Sequence, residues 1–419
     1  MRILHTADWH MNSTLGRQNL SALIVASLEK IAVYLEEYKV DVLVVAGDLF
    51  SERSRDEGMR EAIAQIRRIF EPFVLGGGRI VAVAGNHDSP LRFETLRDAL
   101  SLGGNSRFFL TSRPDFLKIA DARGDEFQFA LLPYPTPANY LHGENFSSLE
   151  EKNHKVQAQF SAELNRIRET RIDPNLPAIL VSHVHVRGAQ THSLFQISEA
   201  DDVTFDSAQI RGDFAYAAYG HIHKPGAIAG DPFVRYSGSP IPLDAAERFD
   251  QKSVVLLDIG PRGERDFQIL ALPKVSMHQI TLDFTKNETE CGTDEVETEL
   301  RKWRAEIPDA QTALVHYTVR YQPQKHSLAA LRGAIDALFL RWYGRAEEKV
   351  GAQIAPRPPE LLSDEITSDG SISTKNEADS ANPLSGDVPA LVRSYLRQRL
   401  DQNDDRDAVL KLAEELLAN

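Results

Sequence analysis

The sequence has one cysteine, no long apolar run and fewer basic than acidic side chains. Cys291 is the one cysteine among 419 residues, which excludes a disulfide framework and a cysteine-based zinc site. No stretch approaches the ~20 apolar residues that a membrane span needs. The first residues lead into a predicted strand without the apolar run of a signal peptide. We therefore expect a cytoplasmic protein that does not contact a membrane.

Acidic side chains outnumber basic ones. The chain carries 47 lysines and arginines against 61 aspartates and glutamates, for a formal net charge of -14. Taken alone, this balance argues against a nucleic-acid-binding protein, because contacts with phosphates need basic side chains. Divalent cations held in a site would offset several carboxylates there, and part of the acidic excess falls in segments 364–365 and 401–407. The net charge therefore does not exclude a nucleic-acid substrate.

Five predicted strands end in side chains that bind metals or transfer protons. The clearest is the apolar run 81–84, which is followed at once by Gly-Asn-His-Asp. Runs without a polar face predict buried strands, and open α/β sheets place their sites at the carboxyl ends of such strands. The strand ends together supply eight candidate site residues: Asp8, His10, Asp48, Asn86, His87, His183, His221 and His223.

These residue types in this order predict a hydrolase that activates water with two divalent metal ions. Asp48 is the expected bridging ligand, because its turn lies between the turns that carry Asp8 and Asn86. The two predicted ligand sets are Asp8, His10, Asp48 and His223 for the first metal, and Asp48, Asn86, His183 and His221 for the second. Mixed imidazole and carboxylate ligands favour manganese, iron or zinc over calcium.

Three other histidines receive different interpretations. His87 directly follows a ligand and belongs to neither set, so we expect it to stabilise the transition state or to protonate the leaving oxygen. His185 competes with His183, since alternate residues of a strand share a face. His183 is preferred because it lies nearer the strand end. His5 lies within a predicted strand and is interpreted as a core residue.

The periodicity predicts an α/β (α+β) fold. Residues 1–272 are expected to form a β-sandwich flanked by helices, built from βαβ units at first and from hairpins later. Its helices are predicted at 20–38, 56–70, 93–102 and 149–169. A smaller α/β unit is predicted at 273–354, with helices at 294–306 and 327–342 and a last strand at 347–354.

The C-terminal region differs in composition from the rest of the chain. Residues 355–386 are rich in proline, serine and acidic side chains, which predicts a disordered linker. Residues 387–419 regain the apolar period of two amphipathic helices, which cannot bury their own faces well and are interpreted as a docking element for a partner. The predicted partner-binding residues are Val392, Tyr395, Leu396, Val409, Leu412 and Leu416. A helical hairpin that packs on its own chain is the alternative.

The motifs at the strand ends together resemble the calcineurin-like metallophosphoesterase superfamily. Three longer stretches, from His5 to His10, from Ala46 to Phe50 and from Gly238 to Leu243, are similar to the SbcD family, the nuclease subunits of bacterial SbcCD complexes. The resemblance in motifs covers residues 1–260. The smaller α/β unit corresponds to the family's capping domain by position, and the C-terminal helices correspond to its docking helices by position and pattern.

The resemblance implies a nuclease, both exonuclease and endonuclease, that degrades and nicks double-stranded DNA in a DNA repair complex. It implies two Mn2+ per chain, with Mg2+, Fe2+ or Zn2+ as alternative ions, and His87 as a catalytic histidine that is not a ligand. The implied partner is an SbcC-like coiled-coil ATPase. The implied assembly is a homodimer within a heterotetramer, formed by the helices at 56–70 and 93–102 unless their apolar faces simply cover the sheet.

Two other functions remain open at this point. A metallophosphoesterase for small phosphoesters or cyclic nucleotides would use the same metals but would have little use for a docking tail. A mainly architectural subunit would clamp an ATPase on DNA with weak or no catalysis, although all eight site residues are present. Three positions depart from the family pattern: Asn12 and Ser182 stand where glycine is common, and Ser51 stands where some members have histidine. The last difference leaves the balance of exonuclease and endonuclease activity open.

Overall fold

The computed structural model describes residues 1–51, 56–102, 107–141, 146–191, 203–206, 214–285 and 293–350. The chain divides into two compact units, Met1–Gln353 and Ile354–Asn419. The linker predicted at 355–386 and the helices predicted at 387–419 lie outside the described residues, so both stay predictions.

Strands and helices alternate through the first unit. The strands are, in chain order, β1 Arg2–Thr6, β2 Thr14–Leu15, β3 Gln18–Asn19, β4 Val42–Ala46, β5 Arg79–Val83, β6 Phe108–Thr111, β7 Asp115–Ala120, β8 Glu126–Leu132, β9 Ala178–His183, β10 His185–Val186, β11 Thr204–Phe205, β12 Tyr216–Gly220, β13 Gly226–Ile228, β14 Asp231–Tyr236, β15 Ser253–Ile259, β16 Arg265–Ala271, β17 Met277–Asp283, β18 Leu314–Tyr321 and β19 Trp342–Lys349. The helices are α1 Ser21–Glu37, α2 Asp56–Leu75, α3 Pro90–Ser101, α4 Pro137–Tyr140, α5 Leu149–Thr170, α6 Thr293–Glu306 and α7 Leu328–Leu338, with a 3₁₀ helix at Ala245–Phe249. No helix in the described ranges has both the length and the apolar character that crossing a bilayer requires.

Six strands form the first sheet, in the order β16-β15-β1-β4-β5-β6. β1, β4, β5 and β6 run parallel, and β15 and β16 extend the sheet in antiparallel pairs. The parallel strands are almost wholly apolar because both of their faces are buried. Along β4, Leu43 and Val45 join the core under the helices, whereas Val42 and Val44 join the core between the sheets.

The second sheet has the order β13-β14-β12-β9-β8-β7. Its centre, β14-β12-β9-β8, is parallel, and its edge pairs β13-β14 and β7-β8 are antiparallel. The expectation of hairpins is therefore correct at the edges and wrong at the centre. The physical reason is that α5 connects β8 to β9, and a crossover of this length lets two strands pair in parallel.

The two sheets face each other, and helices cover their outer faces. Between the sheets lies a core that includes Ile3, Val81 and Val181. α1 and α2 pack on the first sheet, and α5 packs on the second through residues such as Phe160. The predicted β-sandwich flanked by helices is thus confirmed.

The smaller α/β unit contains a third sheet, the parallel strands β17-β18-β19, together with α6 and α7. The helix predicted at 327–342 is wrong only at its C-terminal end, since the helix ends at Leu338 and β19 begins at Trp342. The apolar residues after the helix belong to the next strand. Trp342, an aromatic residue of a type that favours strands, pairs with Val315 of β18. The apolar period alone did not separate these two conformations.

This third sheet packs against the N-terminal part of the chain. Gln18 Nε2 donates a 2.7 Å hydrogen bond to the Trp342 carbonyl oxygen, and the Arg17 guanidinium lies 4.4 Å from the centroid of the Trp342 ring. Leu314 and Tyr343 belong to the same apolar core as α1. Both parts lie within one compact unit, so the boundary predicted at 272/273 stays a prediction.

Candidate metal centre

The eight predicted site residues come from two different sheets. In the first sheet, the site residues follow the adjacent strands β1, β4 and β5: Asp8, His10, Asp48, Asn86 and His87. In the second sheet, they lie at the ends of the adjacent strands β9 and β12: His183, His221 and His223. Direct side-chain contacts join the two groups, so the strand ends meet at one rim of the sandwich.

A strained loop presents Asp8 and His10. Both have positive φ angles, 54° and 45°, which cost about 1–3 kcal/mol each for residues other than glycine. Trp9 between them is fully buried and stacks on Phe70 of α2, with 5.3 Å between ring centroids. The backbone N–H of His10 donates to the Asp48 carbonyl oxygen at 2.9 Å. Packing and hydrogen bonding therefore hold the loop in a conformation that it would not adopt alone.

Asp48 lies at the centre of the site. Its Oδ2 is 3.4 Å from His10 Nε2 and 3.3 Å from His183 Nε2. Its Oδ1 accepts a 2.9 Å hydrogen bond from the backbone N–H of His87. Gly85 faces this carboxylate, and a Cβ there would lie 2.0 Å from Asp48 Oδ1. One carboxylate thus reaches histidines from both sheets, which is the position that a bridging ligand requires.

The residues predicted for the first metal converge closely. Asp8, His10 and His223 offer ligand atoms that lie within 4.8 Å of one another, and the two Nε2 atoms are 3.2 Å apart. Asp8 Oδ2 is buried and has no hydrogen-bond partner among the described residues. A buried carboxylate oxygen without a partner is costly unless a cation occupies the space beside it. These residues therefore fit a divalent metal ion.

The residues predicted for the second metal converge on Asn86. Its Oδ1 lies 3.0 Å from His183 Nε2 and 3.1 Å from His221 Nδ1. Ligand atoms of Asp8, Asp48 and His183 also lie within 4.8 Å of one another. An amide oxygen, two imidazoles and a carboxylate form a mixed donor set that fits a divalent ion of the manganese, iron or zinc type.

His87 lies against the first group. Its ring centroid is 5.1 Å from that of His10, and its ligand atom lies within 4.8 Å of those of His10 and Asp48. The geometry therefore permits a contact with metal as well as the predicted transfer of a proton. The role of His87 outside both ligand sets stays a prediction.

The other histidines occupy different surroundings. His185 lies in the short strand β10 with its ring centroid 6.3 Å from that of His221, whereas His183 contacts the site carboxylates directly. His5 is fully buried, and its Nδ1 lies 2.9 Å from the Tyr216 hydroxyl. This surrounding agrees with the interpretation of His5 as a core residue.

Burial and neighbouring charges distribute protons unevenly over the site. Burial disfavours the Asp48 carboxylate, but the charges of His183 and His10 outweigh it and lower the pKa of Asp48. Burial also disfavours a charged His183, but Asp48 and Asp8 outweigh it and raise the pKa of His183 to about 9. For His10, burial prevails over Asp48 and lowers the pKa to about 3. A metal ion must therefore displace a proton from His183, which makes binding weaker as the pH falls.

Asp88 has a structural role that the sequence analysis missed. Its buried carboxylate accepts hydrogen bonds from the backbone N–H groups of Leu49, Phe50 and Gly85, at 3.1, 3.0 and 2.9 Å. These bonds connect the turn after β4 to the turn after β5, and so fix the turn of Asp48 relative to the turn of the next strand. Its position directly after Asn-His was the available signal.

Glu247 and Lys252 were also missed. Glu247 Oε1 lies 2.8 Å from His223 Nδ1, and Lys252 Nζ lies 2.6 Å from Glu247 Oε2. Glu247 and His223 are 24 residues apart in sequence. No motif signals such a contact, because it depends on how the 3₁₀ helix lies relative to the residues that follow β12.

Comparison with known proteins agrees with this geometry. The sequence pattern of the calcineurin-like phosphoesterase family matches residues 1–225. The SbcD subunit of the SbcCD nuclease from Bacillus subtilis is 31% identical over 289 residues, which cover 65% of this chain and 70% of that protein. The protein of the same name from Rhodobacter capsulatus is 29% identical over 387 residues, 86% of this chain and 91% of that protein. The protein of the same name from Escherichia coli K12 is 29% identical over 270 residues, which cover 61% of this chain and 64% of that protein. This chain therefore spans slightly less than two thirds of that relative. The chain therefore belongs to the calcineurin-like phosphoesterase superfamily and, within it, to the SbcD family.

Proposed function

We propose that this protein is a metal-dependent DNA nuclease, an exonuclease and endonuclease for double-stranded DNA, that acts as the nuclease subunit of an SbcCD-type repair complex in the cytoplasm. The observation that carries the proposal is the convergence of the Asp8 and Asp48 carboxylates, the Asn86 amide and the strand-end histidines at one rim of the sandwich. The names of its relatives, which are SbcD subunits of SbcCD nucleases, support DNA as the substrate.

The proposed mechanism uses the side chains in distinct roles. Asp8, His10 and His223 would hold one ion, and Asn86, His183 and His221 the other, with Asp48 between them. The chemistry that two bound divalent ions supply is the acidification of a water and the neutralisation of phosphoryl charge. Manganese is the proposed native ion, with Mg2+, Fe2+ or Zn2+ as alternatives.

His87 acts separately from this set. Its backbone N–H is bonded to Asp48, which fixes where its side chain begins. Its imidazole would protonate the leaving oxygen or stabilise the charge that develops on the phosphoryl group.

The test is cleavage of linear duplex DNA with added manganese, by wild type, His87→Ala and Asp48→Ala. We expect His87→Ala to lose about 10²- to 10⁴-fold in rate, as for removal of a general acid, while elemental analysis still finds two metal ions per chain. Asp48→Ala should lose both cleavage and metal, because it removes the shared ligand.

Four outcomes would change the proposal. Wild-type rates in either variant would refute the site assignment. Metal loss in His87→Ala would make His87 a ligand. Metal-loaded wild type that hydrolyses small phosphoesters or cyclic nucleotides but not DNA, even with its ATPase partner added, would favour the small-substrate enzyme. If it hydrolyses neither, the architectural role is favoured.

We also propose that α2 and α3 form the interface of a homodimer within a heterotetramer. An apolar cavity of about 640 Å³ lies between them, lined by side chains such as Ile66, Phe70 and Leu100. Leu91 in the first turn of α3 and Leu102 directly after its end are 74% and 88% exposed, so apolar surface faces outward at both ends of this helix. Light scattering should give twice the chain mass for wild type and for the α5 control Leu149→Glu, and the single chain mass for Leu91→Glu with Leu102→Glu. A dimeric double variant would refute this interface.

A further inference from the structure

His223 is held at several points by one segment of the chain, residues 238–252. Its Nδ1 lies 2.8 Å from Glu247 Oε1. Its backbone carbonyl oxygen accepts hydrogen bonds from Lys252 Nζ at 2.9 Å and from the Ser239 N–H at 3.2 Å. Gly238 begins this turn with a φ of 75°, and a Cβ there would lie 2.5 Å from the same carbonyl oxygen. Side chain and backbone of His223 are therefore both fixed.

Glu247 itself is buried and fully bonded. It is 2% exposed, and its Oε2 accepts from Lys252 Nζ at 2.6 Å, from Ser239 Oγ at 3.1 Å and from the Leu243 N–H at 3.3 Å. Lys252 is 3% exposed and also bonds Asp250 Oδ2 at 3.2 Å. Buried ion pairs are weak contributors to stability, since desolvation offsets their attraction. A buried pair that touches a metal-ligand candidate therefore suggests a positional role.

The chemistry of the imidazole explains what this contact does. A carboxylate beside Nδ1 keeps the proton on that nitrogen, so the lone pair stays on Nε2. His223 Nε2 lies 3.2 Å from His10 Nε2, on the side where Asp8 also offers a ligand atom. The ring is thus held with its free nitrogen toward the first metal position.

We propose that Glu247, neutralised by Lys252 and supported by Ser239, is a positioning residue that fixes the tautomer and orientation of His223 for the first metal. This inference rests on the proposed two-metal site and assigns a role to the stretch that begins at Gly238. It predicts that Glu247 affects one metal position and leaves the other unchanged.

His183 provides an internal comparison. Its Nδ1 lies 2.7 Å from the backbone carbonyl oxygen of Ala46, so a main-chain group orients the second histidine. The two metal positions therefore depend on different orienting groups, a side chain in one case and the backbone in the other. Of these two orienting groups, only the Glu247 side chain can be removed by substitution. The second metal position therefore serves as a reference within the same molecule.

The experiment is a manganese titration of the full-length protein, in which electron paramagnetic resonance measures free Mn2+. Wild type should bind two ions per chain. Glu247→Gln should bind one of them about 10- to 100-fold more weakly, the usual loss for an outer hydrogen-bond partner of a ligand, and the other as in wild type. The matched control is Asp250→Asn, which removes a carboxylate from Lys252 without touching His223, and both its sites should be unchanged.

A second variant guards against misfolding. Glu247→Ala combined with Lys252→Met removes the buried carboxylate and the buried ammonium together, so neither is left without the other. This protein should melt cooperatively, as monitored by circular dichroism, and bind one ion with the wild-type affinity.

Each other outcome overturns the inference. Two wild-type affinities in Glu247→Gln, or in the double variant, would refute the positioning role and leave the nuclease proposal intact. An equal loss in Asp250→Asn would trace the effect to net charge and refute it as well. If wild type itself binds no manganese, the proposed metal site fails and the inference fails with it.

Discussion

His5 is a titratable residue that is placed in the core instead of the site. It is fully buried beside Tyr216, with 5.7 Å between their ring centroids. Burial disfavours the imidazolium and lowers the pKa of His5 to about 3. In the unfolded chain the pKa returns to about 6.5. The difference makes folding sensitive to acid at a histidine outside both predicted ligand sets.

The sign of this effect follows from proton binding. Between pH 6.5 and 3 the unfolded chain binds a proton at His5 and the folded chain does not, so stability is lost as the pH falls. We expect His5→Gln to remove this contribution. Between pH 7.5 and pH 5, urea denaturation should show a free energy of unfolding that falls about 2 kcal/mol less in His5→Gln than in wild type.

The control for this experiment is His154→Gln, which replaces an exposed histidine on α5. It should follow the wild-type pH dependence, because it leaves the buried His5 in place. If the free energy of unfolding of His5→Gln has the wild-type pH dependence, the burial of His5 does not cause the loss of stability in acid.

Asn12 shows how one residue can replace glycine. Its φ is 68°, in the left-handed region that glycine adopts freely and asparagine tolerates better than most residues. Its side chain also donates a hydrogen bond to the Gly58 carbonyl oxygen in α2. The departure from the family pattern at this position therefore preserves the backbone and adds a contact.

At the scale of elements, the turns after β4 and β5 act as a pair. Their separation is so small that a methyl group at Gly85 would lie 2.0 Å from Asp48 Oδ1 and 2.5 Å from the Asp48 nitrogen. We expect Gly85→Ala to displace the Asp48 turn. Manganese affinity, measured by the same titration, should fall about tenfold or more, and DNA cleavage should fall with it.

Gly226→Ala is the matched control, since a Cβ at that glycine of β13 has no atom within 4 Å among the described residues. This substitution should leave manganese affinity and cleavage unchanged. Wild-type affinity in Gly85→Ala would mean that the turn can move without disturbing the bridging carboxylate, which would contradict its proposed central role.

At the scale of the whole molecule, residues 387–419 are proposed to dock an SbcC-like ATPase. Deleting this segment should abolish binding to the partner in a pull-down assay, because it removes the apolar faces of both predicted helices. Manganese-dependent hydrolysis of a small phosphodiester should persist, since all eight site residues lie before residue 224.

A finer variant separates docking from chain length. Leu412→Ser with Leu416→Ser should weaken partner binding, whereas Lys411→Ser with Glu415→Ser, on the predicted polar face, should not. If the protein without residues 387–419 still binds the partner, the docking role is refuted. The alternative, a helical hairpin that packs on its own chain, is then favoured.

The sequence by itself determined the strands that carry the site and the residue types at their ends. Apolar runs such as 42–46 have no polar face, which predicts strands with both faces buried. The polar residues that follow such a strand lie at the rim of the sheet. These local signals were sufficient to predict the family, the β-sandwich and the set of candidate ligands. Local signals failed at Trp342, where the apolar pattern did not distinguish a helix from a strand.

Only the tertiary structure decided which groups surround the ligands. The parallel centre of the second sheet depends on strand pairing, and the contact of Glu247 with His223 depends on packing across 24 residues. Asp88 bonds the Leu49 N–H, 39 residues earlier in sequence. Such contacts leave no periodicity in a single sequence, because they depend on distances between elements and not on the order of residues within one.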